Sequence, residues 1–102
     1  MTDYLDVYIE QAEAAFNEWL EQNTRLVPVT ALGIDYRAGG NVRVSDQAVL
    51  VNNDSLRSFL YYGGGEYVDE SQRTTFCNWT VFWAGDERVD GWLEHLEEHE
   101  SA

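Results

Sequence analysis

The residues closest to a catalytic pattern are His95-Leu96-Glu97-Glu98-His99, an H-x-x-E-H arrangement. It sets two imidazoles one helical turn apart for zinc, with a glutamate between them to activate water. Such a centre needs a third ligand from a following element, and only three residues follow His99 in this sequence. The expectation is two exposed histidines and no metal. Gly63-Gly64-Gly65 has the composition of a phosphate-cradling loop, but phosphate loops run from a strand into a helix N-terminus. Here the glycines follow a short helical pattern and precede an extended one, so a helix end is expected instead. Paired carboxylates such as Asp69/Glu70 and Glu97/Glu98 do acid and base work only where burial separates their pKa values. Cys77 is the single cysteine, which excludes an internal disulfide and a cysteine-based zinc site. On a strand it reads as packing rather than as a nucleophile. No enzyme activity and no cofactor are expected.

Charge is the most unusual property. The 102 residues hold 19 acidic and 6 basic side chains for a net −13, and every basic residue is an arginine. The imbalance is not uniform. Residues 1–24 carry Asp3, Asp6, Glu10, Glu13, Glu18 and Glu21 with no cation, and residues 86–102 carry seven carboxylates against Arg88. Residues 25–85 hold six carboxylates and five arginines. Neutralising phosphates requires a basic surface, so direct binding to nucleic acid or to an anionic membrane is excluded as a leading function. No run approaches the ~20 apolar residues of a membrane span, and MTDYLDVYIE lacks the basic start of a signal peptide. A cytoplasmic chain is expected, which leaves the Asn78-Trp79-Thr80 sequon without meaning.

The elements that position these groups follow from periodicity. Thr2 to Asn23 is expected to be an amphipathic helix. Leu5, Tyr8, Ile9, Ala12, Phe16, Trp19 and Leu20 form its inward stripe, with Asp3, Asp6, Glu10, Glu13, Asn17 and Glu21 opposite. Asn23 to Pro28 ends it. Val29 to Arg37 alternates as a strand, and Ala38-Gly39-Gly40-Asn41 signals a turn into a hairpin partner at Asn41 to Ser45. Ala48 to Asn52 is a continuation or a third strand. Asn53, Asp54 and Ser55 suit a helix start, and Leu56, Phe59 and Leu60 a short helix that stops at the glycines. Gly65 to Glu70 and Thr74 to Trp83 are predicted strands. The second carries bulk on both faces, as a strand near the middle of a sheet does. Asp86 opens a closing helix with Val89, Trp92, Leu93 and Leu96 inward and Glu87, Asp90, Glu94, Glu97 and Glu98 outward. The whole is predicted as one α+β domain over residues 1–102, an antiparallel sheet of four to five strands. An N-terminal, a short middle and a C-terminal helix pack mainly on one of its faces.

In type, though not through shared motifs, such a chain is similar to the small acidic proteins by which phages and other mobile elements block host nucleases, the anti-CRISPR and anti-restriction inhibitors. That likeness implies a DNA mimic that binds a basic nucleic-acid-binding protein or nuclease complex, as monomer or homodimer. Asp3, Asp6, Glu10, Glu13, Glu87, Asp90, Glu94 and Glu97 would form its electrostatic surface. Tyr61, Tyr62 and Tyr67 are candidate anchors, tyrosine being enriched at interface hot spots; pattern alone leaves open whether they are core. The competing expectation is a non-catalytic interaction module from a salt-adapted or GC-rich organism, acidic for solvation only.

Overall fold

The densest β-branched and aromatic runs build the middle of the molecule. In the computed structural model, which describes residues 4–35 and 40–101 and side chains from Val7 on, five strands form one antiparallel sheet. They are β1 (Arg25–Pro28), β2 (Asn41–Ser45), β3 (Ala48–Asn52), β4 (Arg73–Phe76) and β5 (Trp79–Trp83), in the spatial order β1-β2-β3-β5-β4. Three helices complete the α+β architecture: α1 (Tyr4–Asn23), α2 (Asn53–Tyr62) and α3 (Glu87–Ser101). None of them is long and apolar enough to cross a membrane.

Three strand expectations are corrected. Thr74 to Trp83 is not one strand but a hairpin, broken at Cys77 and Asn78, whose φ values of 50° and 68° are those a tight two-residue turn demands. Apolar alternation continues through the turn, so periodicity alone does not reveal it. β5 lies next to the edge and β4 forms it. Val29 to Arg37 is likewise not a strand over its described part, because Val29–Leu32 closes into a 3₁₀ turn ended by Gly33. The partner of β2 is the earlier segment β1, with Pro28 opposite Asn41. Proline is tolerated there because β1 is an edge strand. Residues 36–39, which include the first half of the anticipated Ala38–Asn41 turn, lie outside the described residues. Gly65 to Glu70 is not extended either. Gly65–Tyr67 and Glu70–Gln72 are 3₁₀ turns, the second capped by Asp69. The Asp69 carboxylate accepts from the Ser71 amide and hydroxyl, both at 2.8 Å, and these bonds hold its pKa below the usual 3.8.

The two faces of the sheet are covered unequally. Val27, Val42, Val44, Val49, Val51 and Phe82 point to one side, where Phe59 of α2 and Val89, Trp92 and Leu96 of α3 bury against them. Ala48, Leu50 and Val81 point to the other side and meet Leu20 of α1, with Phe16 and Trp79 half-buried beside them. Two of the three helices therefore share one face, and α1 takes the opposite one. Its expected inward stripe is only partly inward. Leu20 is buried and Phe16 and Ala12 are half-buried, whereas Tyr8, Ile9 and Trp19 are exposed. The Leu5 side chain is outside the described set. The sheet has too few strand residues to reach under the N-terminal half of a 20-residue helix, and the chain measures 53 × 26 × 26 Å.

Candidate partner-binding surface

α3 owes its start to Asp86 and its seat to three apolar residues. The Asp86 carboxylate accepts from the Arg88 amide at 2.8 Å and from the Asp69 amide at 3.2 Å, satisfying a free donor of the first turn and tying the preceding loop to it. Val89, Trp92 and Leu96 are buried, so the steps between them turn Glu87, Asp90, Glu94, Glu97 and Glu98 outward, all of them exposed. In α1 the same logic exposes Glu10, Glu13, Glu18 and Glu21. Asp3 and the side chain of Asp6 lie outside the described residues. Because α1 and α3 pack on opposite faces, their acidic rows look away from the sheet on opposite sides, not from one continuous surface.

The tyrosines are surface residues. Tyr61, Tyr62 and Tyr67 are between 64 and 70% exposed. α2 spends Phe59 on the core and ends three residues later, which carries Tyr61 and Tyr62 past the sheet, edge to face with ring centroids 4.9 Å apart. Tyr67 lies under the Arg88 guanidinium, 4.8 Å from its centroid, in a cation–π contact. Tyr62, Tyr67, Arg88, Asp86 and His95 line an open cleft of about 840 Å³ between the glycine loop, the Val29–Leu32 turn and α3. Sequence reasoning gave no sign of this cleft, because its walls come from three segments that no motif joins.

The glycine loop is a packed helix end. The Gly63 amide donates to the Phe59 carbonyl, and Gly64 has φ +81°. A Cβ on Gly64 would sit 3.0 Å from an Arg88 nitrogen. Gly33 is tighter: φ is +81° and a Cβ there would lie 2.7 Å from the His95 ring. Gly33→Ala should therefore destabilise the fold by about 1–2 kcal/mol from backbone strain alone, measured as a lower urea midpoint. A change under ~0.3 kcal/mol would contradict the left-handed backbone at Gly33.

His95 and His99 are both exposed on α3, and no group of three or more histidine, cysteine, aspartate or glutamate side chains among the described residues is placed to hold a metal. Cys77, at the hairpin tip, is half-buried. Desolvation first, and the Glu13 carboxylate second, push its thiol above the usual 9.0, which disfavours the nucleophilic thiolate. The arrangement offers outward carboxylates and exposed aromatic rings. The chain matches no family model, no curated protein and no solved structure.

Proposed function

We propose that this protein is a non-catalytic inhibitor that occupies the cationic nucleic-acid groove of a host effector, a CRISPR or restriction complex, by presenting carboxylates where the groove receives phosphates. The supporting observation is that the outward carboxylates are unneutralised. Among the described residues of α1 and α3, Glu100 alone forms an ion pair, with Arg25. Carboxylates at three- and four-residue steps lie ~5 Å apart along a helix, against one charge per ~1.7 Å for duplex DNA. One row is sparser than DNA. Two rows on opposite sides of a body 26 Å across distribute charge as a duplex does, on both flanks of a rod. Tyr61, Tyr62 and Tyr67 supply apolar contact area near the start of α3, where charge alone would bind without register. The protein would act in the cytoplasm of the host, without a cofactor.

The test is competition. Purified effectors of both kinds are incubated with their duplex substrate and increasing amounts of this protein, and duplex binding is read by mobility shift. The expected result is stoichiometric loss of the shift, relieved by ~0.5 M salt or by excess DNA. No loss with any effector, or a loss indifferent to salt, would refute the mimicry. Folding that requires molar KCl would assign the acidity to solvation instead.

A further inference from the structure

We infer that α1 is a dimerisation helix and that its uncovered seam receives a second copy of this chain. α1 carries two adjacent apolar seams. Phe16 and Leu20 face the sheet, and beside them Tyr8, Ala12, Ala15 and Trp19 follow at steps of four, three and four, the a/d spacing of a helix that packs against another helix. Among the described residues the second seam is only partly covered: Trp19 stacks on Phe16 with ring centroids 6.0 Å apart and Ala12 is half-buried, but Tyr8 is 70% exposed and Trp19 38%, with Ile9 at 50% and Phe76 at 45% along the adjoining border. Tyr8 stands ~12 Å along the axis from Phe16, the residue whose ring packs edge to face on Phe76 at 5.2 Å.

The seam is self-complementary. Two copies of α1 laid antiparallel with Ala12 opposite Ala15 set each Tyr8 beside the second copy's Trp19. Alanines at the centre permit close approach, and large rings fill both ends. Such a contact repeats itself about a two-fold axis and closes, as an isologous dimer requires. The exposed parts of Tyr8, Ile9, Trp19 and Phe76 amount to about 400 Å² of apolar surface per copy, taking ~200 Å² for a whole aromatic side chain. With the ~60% apolar share common at interfaces, that corresponds to roughly 1,300 Å² in total, inside the range of stable complexes. Gln11, Glu18 and Gln22 border the seam on one side, the Glu18 carboxylate accepting from the Gln22 side-chain amide at 3.2 Å, while Glu10, Glu13 and Glu21 lie on the far side of α1 and stay in water when it closes.

This inference does not rest on the proposed inhibition, and salt separates the two. Each chain carries −13, so screening strengthens the pairing of two copies while it weakens the grip on a basic partner. Sedimentation equilibrium of the full chain at ~100 µM, in ~0.05 and ~0.5 M NaCl, should give the mass of two chains, with tighter association at the higher salt. Tyr8→Glu and, separately, Ala15→Glu should each give a monomer with an unchanged far-ultraviolet circular dichroism spectrum. Both positions are exposed, so neither change strains the isolated fold. A wild-type monomer at both salts would leave the seam to a different protein and overturn the proposal. A dimer that survives both substitutions would overturn it as well.

Discussion

Phe59→Ala should cost about 3–5 kcal/mol of stability, a large share of the ~5–15 kcal/mol available to a domain of this size. Phe59 is the hub of an aromatic triad. Its ring lies 5.3 Å from that of Phe82 on β5 and 5.2 Å from that of Trp92 on α3, and those two rings are 5.8 Å apart, edge to face. All three are buried, and Phe59 is the one through which α2 joins the sheet and α3. Removing it leaves a void that neither neighbour can fill without leaving its own element, so the cavity and the lost transfer free energy add. Urea unfolding followed by tryptophan fluorescence should show a much lower midpoint and a Tm reduced by about 15 °C or more. Tyr61→Ala, on the same helix but exposed, should stay within ~0.5 kcal/mol of the parent. A loss below ~1 kcal/mol for Phe59→Ala would mean that α2 does not seat on the sheet as described.

Charge reversal should have the largest effect on binding. Glu94→Lys with Glu97→Lys alters the outer face of α3, and Glu10→Lys with Glu13→Lys alters α1; each pair moves the net charge from −13 to −9. Every reversal removes an attraction of up to ~1 kcal/mol and adds a repulsion of similar size. Two together should weaken inhibition ~10–100-fold at moderate salt. Because the rows face opposite ways, the comparison also reads the partner's geometry. A groove open on one side responds to one pair only, whereas a channel that surrounds the protein responds to both. All these residues are exposed, so circular dichroism should be unchanged. If neither pair affects inhibition in the mobility-shift assay, the acidic helices are not the contact surface.

The helices were readable from their periodicity because a buried stripe at three- and four-residue steps leaves the same mark wherever the helix docks. Val89, Trp92 and Leu96 are inward as expected. In α1 the same mark indicates helix correctly but not what lies opposite the stripe, and Tyr8 and Ile9 meet solvent. The hairpin turn was hidden because Cys77-Asn78 lacks the glycine that usually marks such a turn, and Asn78 is held by a 2.7 Å bond from the Asn53 amide, a contact 25 positions distant. Similarly, Thr80 is buried with its hydroxyl on the Asn53 side chain at 2.7 Å, a partner that no local pattern names. The acidic rows were visible as sequence, but their placement on opposite faces depends on how the strands are ordered. Tyr61 and Tyr62 are surface residues because α2 ends at Tyr62, and Tyr67 because it sits in the separate Gly65–Tyr67 turn under Arg88, neither of which periodicity marks.

The thin seating of α1 has a consequence for motion. A helix whose amide ladder is supported by so few buried side chains opens at little free-energy cost, since most of a helix's stability in a protein comes from packing its apolar face. Its last turn is fastened more firmly, because the Thr24 amide and hydroxyl both donate to the Leu20 carbonyl and Arg43 donates to the Thr24 hydroxyl. Fraying should thus begin at the amino-terminal end and stall near Leu20. Whatever closes over the open half would gain a helix it need not fold from scratch, and would slow the breathing of the sheet face beneath.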